Sequence, residues 1–304
     1  MYDLIIIGSG PAGLSAAIYA KRGGLDVLVL ESNYMSGGQV LNTYEVDNYL
    51  GMPGMNGFDM GMAFRAHVDK LGVPVRTAQV TKLEDTGDSK LVHTRKEVLE
   101  AKAVIVATGA KHAQLEVPGE KEFSGKGVSY CATCDGAFYK DRTVAVVGGG
   151  DVALEDAIYL SRICKKVYLI HRRDELRGAH ILQEELKEQE NVEILYSHTV
   201  QEIQGTESVE SVRLLNKATG EKSVLAVDGV FIAVGIRPNT ELVQDLLSCD
   251  EGGYIPAGED GMTSLPGIWV AGDIRKKPMR QIITAVADGA NAAMSVAGYL
   301  RKKK

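Results

Sequence analysis

One pattern occurs twice in this chain and restricts its fold more than any other feature. Residues 4–31 read as an apolar strand, a glycine-rich turn, a helix and a second apolar strand. Residues 143–170 read the same way: Thr143-Val144-Ala145-Val146-Val147, then Gly148-Gly149-Gly150, a helix from about Ala153 to Cys164, and Val167-Tyr168-Leu169-Ile170. The strands are continuous apolar runs, as parallel strands covered on both faces require. Each copy therefore reads as the βαβ unit of a doubly wound nucleotide-binding fold. Two such units in 304 residues predict two α/β domains.

The order of the remaining strands predicts how the domains are nested. Each half has a later apolar strand ending in glycine, Ala103 to Gly109 in the first and Val230 to Gly235 in the second. A third, Gly267-Ile268-Trp269-Val270-Ala271-Gly272-Asp273, precedes a long helical pattern from about Gln281 to Leu300 and has no partner of its own. It is expected to return to the first domain. Turn residues at Leu115-Glu116-Val117-Pro118-Gly119 and Pro238-Asn239-Thr240 suit linkers. The reading is residues 1–114 and 242–304 as one Rossmann-like, three-layer domain, with 115–241 inserted as the second.

Net charge is -6, which argues against nucleic acid as a partner. The basic run Arg301-Lys302-Lys303-Lys304 reads as a solvated terminus. No apolar run is long enough to span a membrane, and Leu4-Ile5-Ile6-Ile7 opens the fold with no charged leader. The expectation is a cytoplasmic protein without membrane contact. In a reducing compartment its four cysteines do not read as a structural framework.

The first glycine turn, Gly8-Ser9-Gly10-Pro11-Ala12-Gly13, has its full context of preceding strand, following helix and a later acid. Its backbone is expected to admit a pyrophosphate onto the helix N-terminus. Glu31, eighteen residues after Gly13, is placed for ribose hydroxyls. The second turn is Gly148-x-Gly150-x-x-Ala153, and eighteen residues after Ala153 stands His171 instead of an acid. Arg172, Arg173 and Arg177 follow. A cationic cluster there favours a 2′-phosphate, hence NADPH over NADH.

Cys131-Ala132-Thr133-Cys134-Asp135 lies just before the second turn. The pair fits a small redox disulfide, half a zinc site or buried thiols. Zinc lacks its other ligands, since Cys164 and Cys249 are isolated and no histidine is near in sequence. At the start of a helix the dipole would lower a thiol pKa and speed exchange. Asp135 is a candidate general acid or base, or simply a first-turn carboxylate. Cys164 reads as core.

Together these residues resemble the low-molecular-weight, bacterial-type thioredoxin reductases, over essentially the whole chain. The markers are the two glycine turns, Gly37-Gly38-Gln39, Ala107-Thr108-Gly109, the cysteine pair with Asp135, His171-Arg172-Arg173 with Arg177, Ala271-Gly272-Asp273 and Arg280-Gln281. The resemblance implies FAD at the first site, NADPH at the second, and a homodimer. It implies FAD contacts at Ser9, Glu31, Gln39, Asn48, Asp273, Arg280 and Gln281, with Asp273 on the ribityl chain and Gln281 beneath the isoalloxazine. It implies NADPH contacts at Gly150, Asp151, His171, Arg172, Arg173 and Arg177. Electrons would pass from NADPH through FAD to a Cys131–Cys134 disulfide, with Cys134 facing the flavin and Cys131 attacking thioredoxin. The inserted domain would rotate about its two connections to serve both steps. Lys126 stands where the family often has an arginine, which keeps the charge but loses bidentate bonding.

Relatives that draw electrons from ferredoxin keep the cysteines and lose the basic cluster; ferredoxin–NADP reductases of this fold do the reverse. This chain has both. Reductases serving a peroxidase system or a glutaredoxin-like partner share both features and remain alternatives. A non-enzymatic nucleotide-binding regulator predicts the loss of active-site residues, and those inspected are present.

Overall fold

The computed structural model describes the chain apart from Tyr44, Glu45, Asp47 and Lys304, and apart from the side chains of Asn42, Thr133 and Cys134. The expectation for the Cys134 thiol therefore lies outside the described residues. Two compact units are formed, one from Met1–Lys111 with Arg237–Lys304 and the other from His112–Ile236. The chain crosses between them a few residues before each boundary read from sequence. The reason is that the crossings lie in strands β7 (Ala110–His112) and β16 (Ile236–Pro238), which pair with each other, instead of in the Pro/Gly turns beyond them.

In the first unit, β1 (Tyr2–Ile7), α1 (Pro11–Arg22) and β2 (Val27–Glu31) form the βαβ unit. After α2 (Gly57–Lys70) come β3 (Val75–Thr77), β4 (Val80–Asp85), β5 (Lys90–Thr94) and β6 (Val98–Val106). The sheet runs β3-β2-β1-β6-β5-β4, and the upper part of β6 also pairs in parallel with β17 (Ile268–Val270). The third glycine-ended strand thus joins the first unit. Leu4 and Ile6 face a core made with α1 and α6 (Ile282–Lys302), and Ile5 and Ile7 face a second core on the other side of the sheet. This alternation is the period of two that a strand imposes. Both faces are apolar because both are covered.

The second unit repeats the plan. Its elements are β8 (Val128–Ser129), α3 (Ala132–Asp135), β9 (Thr143–Gly148), α4 (Asp151–Ser161), β10 (Lys166–Ile170), α5 (His180–Lys187) and β11 (Val192–Leu195). Then follow β12 (His198–Gly205), β13 (Val209–Asn216), β14 (Lys222–Ala226) and β15 (Gly229–Ala233). A parallel sheet β11-β10-β9-β15-β8 carries α4 on one face and the antiparallel sheet β12-β13-β14 on the other. Helix α4 ends at Ser161, short of the expected Cys164. There Ser161 Oγ bonds back to the Ile158 carbonyl, and Asn191 Nδ2 takes the carbonyls of Ser161 and Cys164, so the turn is closed by side chains. Among the described residues, no helix is long and apolar enough to cross a membrane.

Candidate functional site

In the first unit the turn after β1 is packed too tightly for any side chain at Gly13. A Cβ there would lie 1.9 Å from the Gly8 carbonyl oxygen. Pro11 opens α1, where its missing N–H leaves no bond unmade. Ser9 is fully buried, and its N–H and hydroxyl donate to Glu31 Oε2 at 2.8 and 2.7 Å. Glu31 Oε1 accepts from Asn33 N at 2.8 Å and from the Ser32 hydroxyl at 3.2 Å. A carboxylate has about four acceptor positions, and all are taken. Two of them are filled by rotatable hydroxyls, which a ribose diol can replace while the backbone N–H bonds keep the carboxylate in place.

The other expected residues of this unit surround the same end of the sheet. Gly38 approaches Gly10, since a Cβ on it would lie 3.3 Å from the Gly10 Cα. The Gln39 amide donates to the Ala110 carbonyl. Thr108 and Asn239 exchange hydrogen bonds, each 2.8 Å, next to Gly109. Asn48 Nδ2 donates to Gln281 Oε1 at 2.9 Å, and Gln281 caps α6 in a reciprocal pair with Thr284. Asp273 Oδ1 is buried with no hydrogen-bond partner, Lys277 Nζ standing 3.4 Å away. The Arg280 guanidinium stacks 3.9 Å over the Tyr254 ring, and its Nε is likewise buried without a bond. A flavin dinucleotide fits this set: the close-packed turn admits a pyrophosphate, the orphaned Asp273 oxygen can accept a sugar hydroxyl, and a 21-residue helix ends its positive pole at Gln281.

One group here was not legible beforehand. Asp288 is buried in α6 and accepts from Gly272 N at 3.0 Å, from Arg275 at 2.7 Å and from Lys277 at 3.1 Å. It fixes the turn that presents Asp273. An acid on the apolar side of a helical pattern was the available signal.

In the second unit the imidazole of His171 fills the space beside the glycine turn. A Cβ on Gly149 would lie 2.2 Å from His171 Nδ1. The loop after β10 is clamped to this turn, with Arg177 N and Gly178 N donating to the Gly149 carbonyl at 2.7 and 3.1 Å. Asp151, the first residue of α4 after Gly150, accepts from Ala179 N at 2.7 Å. Arg172, Arg173 and Arg177 project from the loop, exposed and in no ion pair among the described residues. Three free guanidiniums beside this glycine turn fit a nucleotide with an extra phosphate. His171 differs from its expected role. It is buried, with Nδ1 2.8 Å from the Gly148 carbonyl and Nε2 2.9 Å from the Glu175 carbonyl. Its ring braces the arginine loop from within, so no ring nitrogen is left to meet a nucleotide.

Cys131 is disulfide-bonded, while Cys164 and Cys249 are free thiols. Burial pushes the Cys164 thiol up to about 11, which makes it unreactive. Cys131 N donates to Ser129 Oγ at 3.1 Å, and that hydroxyl donates to Asp135 Oδ2 at 2.6 Å. Helix α3 is only four residues long, closed by Asp135 N to the Cys131 carbonyl at 3.2 Å. The helix-dipole argument for thiol activation is therefore weak here, because the macrodipole needs aligned turns. Beside the pair, the Tyr130 hydroxyl donates to Glu120 Oε1 at 2.7 Å, and burial with that carboxylate holds the phenol well above its usual range. Glu120 also accepts Leu115 N at 2.9 Å and Glu116 N at 2.6 Å, tying the entry loop of the unit to the redox segment.

Residues 2–289 match the pyridine nucleotide-disulphide oxidoreductase family. The chain is 44% identical to a thioredoxin reductase of Listeria innocua over 305 aligned positions, covering 100% of this chain and 95% of that one. It is 42% identical to a thioredoxin reductase of Bacillus subtilis, covering 99% and 96%. Among solved structures it is similar to Lactococcus lactis thioredoxin reductase in its FR conformation, with a TM-score of 0.85, 42% identity, and coverage of 99% and 100%.

Proposed function

Because the chain belongs to the pyridine nucleotide-disulphide oxidoreductase family and matches thioredoxin reductases over its whole length, we propose that it reduces oxidised thioredoxin with NADPH. The protein is an FAD-dependent oxidoreductase of the thioredoxin reductase kind. One observation supports the reading most: a disulfide at Cys131 shares its unit with a turn whose free arginines suit a 2′-phosphate, while the other unit offers the orphaned Asp273 oxygen to a flavin.

When bound, the two cofactors supply the chemistry of hydride transfer, carrying two electrons from a dihydronicotinamide by way of a flavin to the disulfide. The chain's own residues hold and orient these groups. Glu31 takes the adenine-side ribose, Asp273 the ribityl chain, and Gln281 with Asn48 the ring, assisted by Gln39 and Arg280. Arg172, Arg173 and Arg177 select NADPH, with His171 and Asp151 holding their loop. Cys131 attacks the thioredoxin disulfide, and Cys134 is the cysteine that would face the flavin and receive its electrons. Asp135, linked through Ser129 to the Cys131 backbone, manages a proton during exchange. The chain passes between the units only twice, in two paired strands, which suits a unit that turns to alternate between partners. The reading includes a homodimer acting in the cytoplasm.

Anaerobic titration of the purified holoprotein with NADPH, followed by oxidised thioredoxin, tests this. Flavin bleaching and then reoxidation by thioredoxin are expected. Bleaching without reoxidation would transfer the reading to a peroxidase-system or glutaredoxin-like partner, and absence of bleaching would make ferredoxin the donor to test.

A further inference from the structure

Helix α4 carries a carboxyl group for which nothing above has a use. Its Ala153, Ala157 and Leu160 share a core cluster with Ala132 of α3. A Cβ on Gly136, the residue after α3, would meet Leu160 Cδ2 and Tyr159 Cε1, each at 3.0 Å. That side of α4 is therefore the one packed on the redox turn. Asp156 lies three residues before Tyr159 and four before Leu160, so it occupies the same side one turn earlier. It is half-buried and forms no ion pair among the described residues.

Among the described residues no cation pairs with it. On α4, Glu155 adjoins it and Asp151 lies beyond, both acidic. On α3 the charged side chain is Asp135, bonded to Ser129, and the Tyr139 phenol that follows is raised by burial and by Asp135 and lowered by Arg142. From α5, Glu185 is taken by Arg162, and Lys166 of β10 pairs with Glu193 of β11. Strands β9 and β15 present Val144, Val146 and Phe231. Burial, with Glu155 beside it, pushes the Asp156 carboxyl up to about 7.

We infer that Asp156 is the proton store for the dithiol formed when the Cys131 disulfide opens. The inference rests on the reductase reading for its electrons. Opening the S–S bond takes two electrons and leaves two sulfurs that need two protons to become thiols. NADPH supplies a hydride, which is two electrons and one proton. The second proton comes from the Asp156 carboxylic acid, which becomes a carboxylate and is then reprotonated from water. When the dithiol is oxidised by a disulfide partner, both of its protons pass to the partner's new thiols, so Asp156 is drawn on only in the opening step and is recharged from water before the next. A group that is half protonated near neutral pH suits a donor that must give and regain one proton per turnover.

The test is the pH dependence of cysteine alkylation by iodoacetamide in the holoprotein reduced with dithiothreitol, compared between the wild type and Asp156→Asn. The wild-type rate profile is expected to show an inflection near pH 7 that Asp156→Asn removes and Asp156→Glu restores. Thioredoxin turnover in Asp156→Asn is expected to fall about tenfold or more and to lose its dependence on pH between about 6 and 8. Superimposable alkylation profiles would overturn the inference, whatever turnover does. A changed profile in a protein that fails to turn over thioredoxin at all would uphold it while overturning the reductase reading. Should Asp156→Asn not fold, carbon-13 NMR of labelled aspartate in the wild type decides. A carboxyl titrating near 7 whose midpoint moves when the cysteines are alkylated supports the inference, and one that does not move contradicts it.

Discussion

At the end of the second parallel strand, or one residue beyond it, each unit has a buried side chain that turns back to the glycine turn, and the two have opposite hydrogen-bonding character. In the first unit Glu31 accepts from the N–H and hydroxyl of Ser9. In the second, His171 faces the carbonyls of Gly148 and Glu175. The acid closes its own turn and leaves replaceable hydroxyl bonds for a ribose. The imidazole faces inward and holds an outer loop, on which three arginines face solvent. On the proposed reading, one supersecondary plan serves two nucleotides because a single position either meets the ligand or supports the residues that do.

The largest expected effects break the two sites separately. Gly13→Ala would place a methyl 1.9 Å from the Gly8 oxygen, and the purified protein should lose most of its bound FAD while unit two still binds NADP⁺. Gly149→Ala would set a methyl against the His171 ring, and the protein should stay yellow while NADPH bleaching fails. Absorbance spectra and calorimetric NADP⁺ titration check both. Loss of both ligands in either variant would show that the sites are not independent.

Asp288→Ala should act on the first unit alone. It leaves Arg275 and Lys277 buried with one partner fewer and frees the Gly272 turn. The expected loss is about 3–5 kcal/mol in denaturant unfolding, with weaker FAD retention.

A smaller, pH-dependent effect belongs to the second unit. The Asp156 carboxyl is raised when folded, from 3.8 to about 7. Its contribution to stability is full below the unfolded value near 4 and is lost as pH rises through about 7, by at most about 4 kcal/mol. Asp156→Asn should therefore raise the melting temperature relative to wild type at pH 8 and leave it nearly unchanged at pH 4. Equal shifts at both would place the effect in packing.

What could be read in advance follows the same division. The βαβ duplication, Glu31 and the arginine cluster are written locally, within the span of one strand–turn–helix unit. The inward pose of His171 is not, since a count of residues from the glycine turn places a side chain without aiming it. Asp288 and the Glu120–Tyr130 bond depend on segments brought together only by folding, and so does the packing of Gly136, just after α3, against α4. The disulfide at Cys131 was one of three states that the spacing left open, with the family resemblance favouring it, whereas the carboxyl on α4 was hidden in an otherwise ordinary apolar helix pattern.

The measurement that bears most directly on the contrast between the units is the KM for NADPH and for NADH in Arg172→Ala/Arg173→Ala. The NADPH KM should rise at least tenfold, as loss of charge-assisted phosphate bonds requires, while the NADH KM changes little. An equal rise in both would mean that the basic loop does not read the 2′-phosphate, and the distinction drawn between the two sites would fail.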